Sequence, residues 1–563
     1  MKHDTKKIAS ALSMLSIALT TLAGNAPTIT ISNTSTRYLD LTNKSSSGVV
    51  DDPWDPLATL GITFKLVDED PGSIILTCTS NKTSVVPNDA THVIFSGTGN
   101  ERNLKIKAKG VGYATLTITA KDNENKTVTY VLKYAASANV LDPDYNMFYT
   151  HLSSASTAIG LGADCILVGD DEQNEICMYA RQQSGMPVAC FDFTSSLKLP
   201  EPNEPEVDIE ASCWSRSHAN RIYWIGSMSN SKSGDQKPNR DRIFATDLTG
   251  IGFQTQLSFI GYTSLRSQVV KWGDSFGYNL TASTKTGTIP KQIDGFSLEG
   301  LEFGPDNSTL YLGFRTPFVP TTKRTKALIC PVLNFEAWFN NGKPSGNPSF
   351  GNPIELDLGG RGIRSICKND SNVYVIVAGA FDGTDNFALF KWTGKATDKP
   401  IQSLANMTGL SPEGIVDVGS SMDFKPQTAI HLVSDNGTND WYDDGKESKD
   451  LTTPEFQKFM ATWVTVQGLM TNLEEGSIES PFPSMRMFPN PVYDIAHLSF
   501  HSDFVGNRKL IITDLQGREV YTELVTVGKG EQRVSFDCGT LVCGYYLLSM
   551  EGTGNVPVRF SKK

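Results

Sequence analysis

The chain has 563 residues, of which 39% are hydrophobic and 20% charged, so it can bury several cores and is too long for one compact domain. With 50 Lys and Arg against 61 Asp and Glu, its formal net charge is −11. Nucleic acid is therefore not expected as a partner, because binding phosphate requires a cationic face that displaces counterions. The 48 glycines and 28 prolines favour many short elements joined by turns.

The N-terminal residues have the pattern of a secretory signal peptide. Lys2, Lys6 and Lys7 precede an apolar stretch that starts at Ile8, and small residues follow as far as Ala26. We therefore predict that residues 1–26 are removed by signal peptidase. The stretch is short and rich in Ser and Thr for a membrane span, so no transmembrane anchor is expected. A helix that anchors the protein at the membrane surface is the alternative interpretation.

The nine cysteines could form disulfides in an oxidising compartment, and their spacing does not predict a structural zinc site. An odd number leaves at least one thiol free, and the C-x-x-C spacing of zinc sites does not occur. Cys538 and Cys543 flank a short turn and are the best local candidates for a disulfide. Several other cysteines lie inside apolar runs, where a buried free thiol is the simpler expectation.

Residues 27–137 are predicted to form a β-sandwich. Between residues 59 and 134, short runs rich in β-branched and aromatic residues alternate with turns of Gly, Asn and Asp. The ordered segments SNKTSVVP, GTGNERNLKI and GYATLTITAKD resemble bacterial immunoglobulin-like modules of secreted proteins. That resemblance implies a spacer or a weak binding role.

Residues 150–470 contain a degenerate repeat of a short strand, a polar turn and an apolar strand. The matched copies place a charged residue at the same point of each first strand, namely Glu210, Glu299, Arg364 and Glu413. Repeats of this kind are typical of a β-propeller, and five to seven blades are expected. The segment 266–283 is a candidate for a further blade. The fold class is therefore all-β: an immunoglobulin-like sandwich, a β-propeller and a small C-terminal sandwich.

The segment 436–483 closes this region. An acidic stretch precedes a predicted helix with Thr452 or Thr453 as N-cap and Pro454 in its first turn. Residues 461–468 are predicted to be the strand that closes the ring, and 471–483 a linker.

Residues 484–563 are predicted to form a small antiparallel sandwich. The segments FPNPVYD, IITDLQGREV and LVCGYYLL closely resemble, in that order, the C-terminal sorting domain of the type IX secretion system of the phylum Bacteroidetes. The residues that carry the resemblance are Pro489, Asn490, Pro491, Gly517, Arg518, Gly544 and Tyr545.

The resemblance implies an export route. The type IX machinery and its sorting peptidase would be partners, and the domain would be removed as the protein is released or attached to the cell surface. An ordinary C-terminal binding sandwich is the alternative.

Charged residues in the repeat are the candidate site, because equivalent inner-strand positions of a propeller converge at one mouth of its channel. Glu299 and Glu413 are candidate catalytic acid and base groups, and Arg364 is a candidate anion clamp. Candidate ligand-binding residues are Glu172, Glu210, Arg315 and Asp435. Crowded carboxylates suit a hard cation, so Glu210, Glu299 and Glu413 are candidate Ca²⁺ ligands. The alternative is that these groups pair with one another and lock the blades together.

The segments LEGLEFGPDNSTLY (298–311) and PEG (412–414) resemble secreted propellers described as esterase-like or phytase-like. The resemblance touches Glu299, Gly300, Glu413 and Gly414, while Arg364 stands where two other repeats have Glu. Two function classes follow. The first is a secreted or cell-surface binding or scaffold protein with an unknown small-molecule or surface ligand. The second is a calcium-assisted esterase or phosphoesterase at the channel mouth.

Overall fold

The structure is a computed structural model that describes residues 26–31, 44–140, 146–384, 386–420, 422–425, 428–470, 486–488, 492, 495–502, 504–514, 518–542, 544–551 and 558–562. The chain divides into two compact units. The first contains the residues up to Val140 together with Asn146–Leu469, and the second contains the residues from Met470 onward. Strands are the main regular element in both units and helices are few, so the predicted all-β class is confirmed. The predicted signal peptide lies outside the described residues up to residue 25.

The N-terminal part of the first unit consists of two four-stranded sheets around one core. One sheet has the order β1-β3-β6-β5, and the other has the order β2-β8-β7-β4 with β2 and β8 parallel. Leu57, Leu116 and Leu132 are fully buried between them. The elements are β1 (Thr28–Ile31), β2 (Ser45–Val49), α1 (Pro56–Thr59), β3 (Ile62–Val67), β4 (Ile75–Ser80), β5 (Val93–Ser96), β6 (Glu101–Ile106), β7 (Gly112–Lys121) and β8 (Thr127–Ser137).

The rest of the first unit contains five four-stranded antiparallel sheets. In each of the first four, the strands follow one another along the chain, which produces simple meanders. Sheet one contains β10 (Ala155–Leu161), β11 (Cys165–Asp170), β12 (Glu175–Ala180) and β13 (Ala189–Asp192). Sheet two contains β14 (Ile209–Trp214), β15 (Arg221–Gly226), β16 (Ile243–Thr249) and β17 (Gln256–Thr263).

Sheet three contains β18 (Ser297–Phe303), β19 (Leu310–Thr316), β20 (Ala327–Val332) and β23 (Ile354–Leu356), with the two-stranded insertion β21 (Phe339–Asn340) and β22 (Lys343–Pro344). Sheet four contains β24 (Gly362–Lys368), β25 (Tyr374–Gly379), β26 (Ala388–Trp392) and β27 (Ile401–Gln402). Sheet five contains β28 (Pro412–Ile415), β29 (Ala429–Ser434) and β30 (Lys458–Thr465), and its fourth strand is β9 (Asn146–Thr150), which comes from the other end of the region.

The first strands of the five sheets contact one another in cyclic order. β10 lies against β14, β14 against β18, β18 against β24, β24 against β28, and β28 returns to β10. Apolar side chains fill the spaces between successive sheets, as with Ile209 and Leu167 between sheets one and two, or Ile363 and Ile329 between sheets three and four. Because each sheet has neighbours on both faces, its first two strands are buried over most of their length, whereas the fourth strands of sheets one, two and four are partly exposed.

The N-terminal sheets are joined to sheet five by a buried cation. Lys458, in β30, donates from Nζ to the Gly48 carbonyl oxygen at 3.1 Å and to Ser137 Oγ at 2.8 Å. Burial lowers the pKa of Lys458 to about 7, although the nearby carboxyl groups of Asp55 and Asp52 oppose that shift. These bonds satisfy the lysine where water cannot reach it.

Several sequence predictions about this region are wrong. The segment 266–283 is not a blade: it forms helices α2 (Arg266–Ser275) and α3 (Leu280–Ser283), and α2 buries Val269 and Trp272 in the core between sheets two and three. No helix begins at Thr452 or Thr453 in the described chain. The remaining helices are α4 (Phe335–Trp338) and three 3₁₀ turns, Pro238–Arg240, Gly252–Gln254 and Ser448–Asp450.

The predicted disulfide is also corrected. Cys538 has a free, buried thiol, and Cys543 lies outside the described residues. A disulfide instead joins Cys177 and Cys190, which face each other on the neighbouring strands β12 and β13. The two cysteines are 13 residues apart in the sequence, and the pairing of their strands places them side by side.

The second unit is a two-sheet structure with its own core. One sheet has the order β31-β32-β35 and the other β34-β33-β36-β37. Leu498, Leu510 and Leu548 are fully buried in its core. The strands are β31 (Arg486–Phe488), β32 (Ile495–Ser502), β33 (Gly506–Asp514), β34 (Glu519–Val527), β35 (Gly530–Asp537), β36 (Gly544–Met550) and β37 (Val558–Lys562).

Candidate functional site

A β-bulge interrupts the first strand of every one of the five sheets near its N-terminal end. Pairing with the second strand skips one residue in each case, and the skipped residues are Ser156, Glu210, Glu299, Arg364 and Glu413. A bulge re-aims the side chain of the extra residue. Four of the five are the charged residues singled out from the repeat, so the sequence pattern marks a real structural equivalence.

Three of these bulged residues are joined into one buried ion-pair network, which also includes Arg315. Arg315 Nη1 donates to Glu299 Oε1 at 3.0 Å, and Arg364 Nε lies 3.1 Å from Glu299 Oε2. The other end of the Arg364 guanidinium pairs with Glu413. No side chain of this network is more than 6% exposed. The residues predicted to converge are thus in contact, and the two candidate catalytic carboxylates are both held by arginine.

The charges of the network interact strongly, but two of its N–H groups have no hydrogen-bond acceptor in the described structure. Burial, together with the positive charge of Arg315, lowers the pKa of Arg364, while Glu299 and Glu210 act in the opposite direction. Arg364 Nη1 and Arg315 Nη2 are buried without a hydrogen-bond partner in the described structure. They provide two N–H groups that could hold an oxygen atom.

Glu210 is not part of this network. Its carboxylate instead lies with those of Asp171 and Asp208, and one oxygen of each is within 4.8 Å of the others. Burial raises the pKa of Glu210 well above its usual value, and the nearby charges of Glu299, Asp208 and Asp171 add to the shift. Asp208 was missed by the sequence analysis. Its left-handed backbone, with φ of 59°, is a conformation that Asp tolerates better than most residues.

The other predicted ligand-binding residues lie around this end of the sheets. Glu172 pairs with Lys449 at 3.0 Å on a partly exposed surface. Asp435 Oδ1 accepts a hydrogen bond from the Gly437 backbone N–H at 2.9 Å. Burial raises the pKa of Asp171, and the charge of Asp435 raises it further. Neither residue is bonded to the arginine network.

A cavity of about 270 Å³ lies towards the C-terminal ends of the same inner strands. All five sheets line it, with Thr157, Ser212, Glu302, Ser365 and Ile415 among the lining residues. Sequence analysis did not identify this cavity, because its lining side chains are individually ordinary and are brought together only by the cyclic packing of the strands.

The ionisable groups in the cavity wall are paired or neutral. Arg216 Nη2 donates to Glu302 Oε1 at 3.0 Å, and Lys368 Nζ donates to the Gly304 carbonyl at 2.8 Å. Burial raises the pKa of the Cys213 and Cys367 thiols well above its usual value, so neither is a thiolate at neutral pH. The wall therefore offers hydrogen bonds rather than a reactive nucleophile.

Most of the predicted sorting residues lie outside the described structure, including Pro489, Asn490, Pro491 and Gly517. Arg518 precedes β34 and Gly544 begins β36. Tyr545 is the next residue of that strand, but its side chain is not among those described.

Comparison with known protein families identifies the second unit. Residues 486–560 match the model of the secretion system C-terminal sorting domain. This sorting domain implies that the protein is exported by the type IX secretion system. This confirms the predicted sorting domain, the handling of the chain by that machinery, and its destination at the cell surface or outside the cell. No helix in the described chain is long and apolar enough to cross a membrane.

The central region has a second match. Residues 276–440 match a family of proteins of unknown function, DUF3616. This segment includes Glu299, Arg315, Arg364 and Glu413. No curated protein matches the chain.

Solved structures resemble the chain at low identity. The extracellular domain of the hybrid two component system BT3049 from B. thetaiotaomicron has 8% identity and a TM-score of 0.23, over 79% of this chain and 59% of that one. The extracellular domain of the one component system BT4673 from the same organism has 10% identity and a TM-score of 0.22, over 80% of this chain and 49% of that one. A streptogramin B lyase has 10% identity and a TM-score of 0.23, over 69% of this chain and 98% of that one. This chain spans about half to three fifths of the length of the first two.

Proposed function

We propose that this exported protein is an extracellular binding protein whose five sheets form a five-bladed β-propeller with a ligand site in its axial cavity. The cyclic contact of the five inner strands supports the propeller, as does the completion of sheet five by β9. The two N-terminal sheets are proposed to be an immunoglobulin-like spacer, in line with the sequence resemblance. Domain boundaries at residues 137, 470 and 484 belong to the same proposal, whereas the start expected at residue 150 moves to Asn146, because β9 completes sheet five.

The observation that carries this proposal is the pairing of charged groups along the axis. At the N-terminal ends of the inner strands, Glu299 and Glu413 are held by Arg364, and at the other end Glu302 is held by Arg216. A general acid or base must exchange a proton with its substrate, which a carboxylate locked to a guanidinium does poorly. The cavity, in contrast, presents hydroxyl and amide groups suited to binding.

The cavity volume indicates a small ligand. About 270 Å³ is slightly below the range of roughly 300–1,000 Å³ that is common for small-molecule sites. Trp214 and Arg216 provide a flat aromatic ring and a planar donor in the wall, and Ser420 lies at its edge. We infer that the ligand is small and polar.

Binding can be tested with the full chain and a panel of monosaccharides, amino acids and dicarboxylates. We expect at least one probe to raise the melting temperature and to change the tryptophan fluorescence, because Trp214 lines the cavity. Ser420→Trp should fill the cavity and abolish both signals. Ser308→Trp, on an exposed loop that does not line the cavity, is the matched control and should retain them. Equal binding by both variants would place the ligand elsewhere.

A calcium-assisted hydrolase is the second candidate, and one observation favours it. Arg315 Nη2 and Arg364 Nη1 are unpartnered donors beside Glu299, where they could hold a phosphate or carboxylate ester oxygen. Calcium-dependent turnover of a phosphate or carboxylate ester that is lost in Glu299→Gln and Glu413→Gln would support this candidate. Turnover that survives both substitutions would exclude these residues from the chemistry.

A further inference from the structure

The acidic cluster at the N-terminal ends of the inner strands is a separate feature from the axial cavity. It consists of Asp171, which follows β11, Asp208, which precedes β14, and Glu210, the bulged residue of β14. One carboxylate oxygen from each residue lies within 4.8 Å of the others. Three oxygen atoms from two neighbouring sheets therefore face one small volume.

Two of these carboxylates lack partners that would explain why they are buried. Glu210 is only 7% exposed, and among the described residues its carboxylate is surrounded by charges without a hydrogen bond or an ion pair. Asp171 Oδ1 is likewise buried without a hydrogen-bond partner. Only Asp208 is paired, through Oδ2, with Arg240 Nη1 at 2.9 Å. Burying unpaired carboxylates is costly, so the cluster is incomplete as it stands.

The surroundings do not supply the missing positive charge. Arg240 is shared between Asp208 and Glu206, and Lys449 is taken by Glu172. Arg364 is committed to Glu299 and Glu413.

A second acidic feature adjoins the cluster. A pocket lined by Glu172, Glu175, Asp192, Glu204 and Glu206 lies near the cluster, since Glu172 follows Asp171 in the chain and both Glu172 and Glu206 interact electrostatically with Asp208. Such a pocket concentrates cations. It would provide an acidic approach from the surface to the buried carboxylates.

We propose that Asp171, Asp208 and Glu210 bind a divalent cation, with Ca²⁺ as the expected ion. An all-oxygen set of carboxylates is the ligand type preferred by hard cations, and three protein ligands leave positions for the water ligands that Ca²⁺ also takes. This assignment changes the ligand set predicted from the sequence. Glu299 and Glu413 form ion pairs with arginine. Asp171 and Asp208 therefore replace them as the proposed ligands beside Glu210.

The cation would join sheets one and two at their inner edge. Asp171 belongs to the first sheet, and Asp208 and Glu210 belong to the second, so the ion bridges a boundary that otherwise carries mutually repelling charges. The site goes beyond the proposed function, because it lies at the opposite ends of the inner strands from the ligand cavity and can exist whether or not that cavity binds anything.

Calorimetric titration of the full chain with CaCl₂, after treatment with a chelator, tests the proposal directly. We expect saturable binding of one Ca²⁺ at this site, weaker binding of Mg²⁺, and a higher melting temperature with Ca²⁺. Glu210→Gln and Asp171→Asn should each weaken Ca²⁺ binding at least tenfold. Asp370→Asn, an exposed acidic residue outside the cluster, is the matched control and should bind Ca²⁺ as the wild type does.

The melting temperatures of the metal-free variant and the metal-free wild type show whether a loss of Ca²⁺ binding is caused by misfolding. Glu210→Gln removes an unpaired buried charge, so the metal-free variant should be at least as stable as the metal-free wild type, while losing the Ca²⁺-induced increase. The proposal is overturned if the wild type neither binds Ca²⁺ nor gains stability from it, or if Glu210→Gln binds Ca²⁺ with wild-type affinity. Failure of the cavity probes would leave this result unaffected.

Discussion

Arg364 is the central residue of the inner-strand network. Its guanidinium reaches Glu299 through one edge and Glu413 through another, so it connects sheets three, four and five at once. All three side chains are at least nine-tenths buried. A buried ion pair gains little over an apolar replacement of the whole group, but the loss of one member leaves the others as unpaired buried charges.

Arg364→Gln is therefore expected to destabilise the protein strongly. Two buried carboxylates lose their shared cation, and losses of about 3–5 kcal/mol are typical when one partner of a buried pair is removed. Denaturant unfolding of the full chain measures the change. Lys425→Gln, which breaks an exposed pair with Asp423, is the control and should leave the free energy of unfolding nearly unchanged. Similar losses for the two variants would show that the network contributes little.

The sequence identified this network because of residue type and repetition. Charged residues in otherwise apolar strands are conspicuous, and four of the five bulge positions carry one. The sequence analysis did not select Ser156, because a serine is common in a strand and carries no charge. It did not select Asp208, because that residue precedes its strand rather than lying within the repeat. Their roles depend on distances between sheets, which the order of residues along one chain does not contain.

Within the strands, a glycine follows two of the bulged glutamates, and in each case neighbouring atoms leave too little room for a Cβ atom. A Cβ at Gly300 would lie 2.8 Å from Ile363 Cγ2, in the inner strand of the next sheet. A Cβ at Gly414 would lie 2.5 Å from Val433 Cγ2 in its own sheet and 3.0 Å from the backbone N of Ala158, in the inner strand of the next sheet. The Glu-Gly pairs noted in the sequence thus combine a bulge that turns a charge inward with a position at which two sheets approach closely.

Gly414→Ala is expected to destabilise the packing of sheet five against sheet one. The added methyl group meets backbone atoms of β10, which cannot move aside as a flexible side chain would, and such overpacking costs about 1–3 kcal/mol. Gly419→Ala is a suitable comparison, because an added Cβ there has no atom within 4 Å. Denaturant unfolding should separate the two variants, and equal stabilities would contradict the close approach.

Sequence patterns predicted the positions of the long apolar strands correctly, but they did not distinguish helix from strand in short apolar runs. The second strands of sheets two to five, at 221–226, 310–316, 374–379 and 429–434, are the apolar strands of the predicted repeat, whose sequence limits match them to within one residue. The short apolar run in 266–275 is instead helical, and a run of that length does not by itself distinguish helix from strand. The spacing of Val269 and Trp272, three residues apart, is the signal that favours the helix.

At the scale of the molecule, the ring of sheets is completed by its two ends. β9 pairs antiparallel with β30, although more than 300 residues separate Met147 from its partner Ala461. The sequence analysis began this region at residue 150 and so left this strand outside it. Tyr149 links the two ends further, because its hydroxyl donates to the Ala180 carbonyl at 2.7 Å and its ring packs on Tyr179 and Phe459.

If the five sheets unfold cooperatively, destabilising the contact between β9 and its neighbours should lower the stability of every sheet. Tyr149→Ala removes a fully buried aromatic ring and is expected to cost about 3–5 kcal/mol. Native-state hydrogen exchange should then show lower protection by a similar amount in all five sheets, because a ring opened at one boundary loses the contacts on which the others depend.

Tyr149→Phe is the matched variant, since it keeps the ring and removes only the hydroxyl that Ala180 accepts from. Its cost should be about 1–3 kcal/mol, the loss expected when a buried carbonyl is left without its partner. Reduced protection confined to β9 and β30 in the alanine variant would mean that the sheets open independently. The charged groups held at the inner strands would then depend on local pairing alone, rather than on the closed arrangement that brings them together.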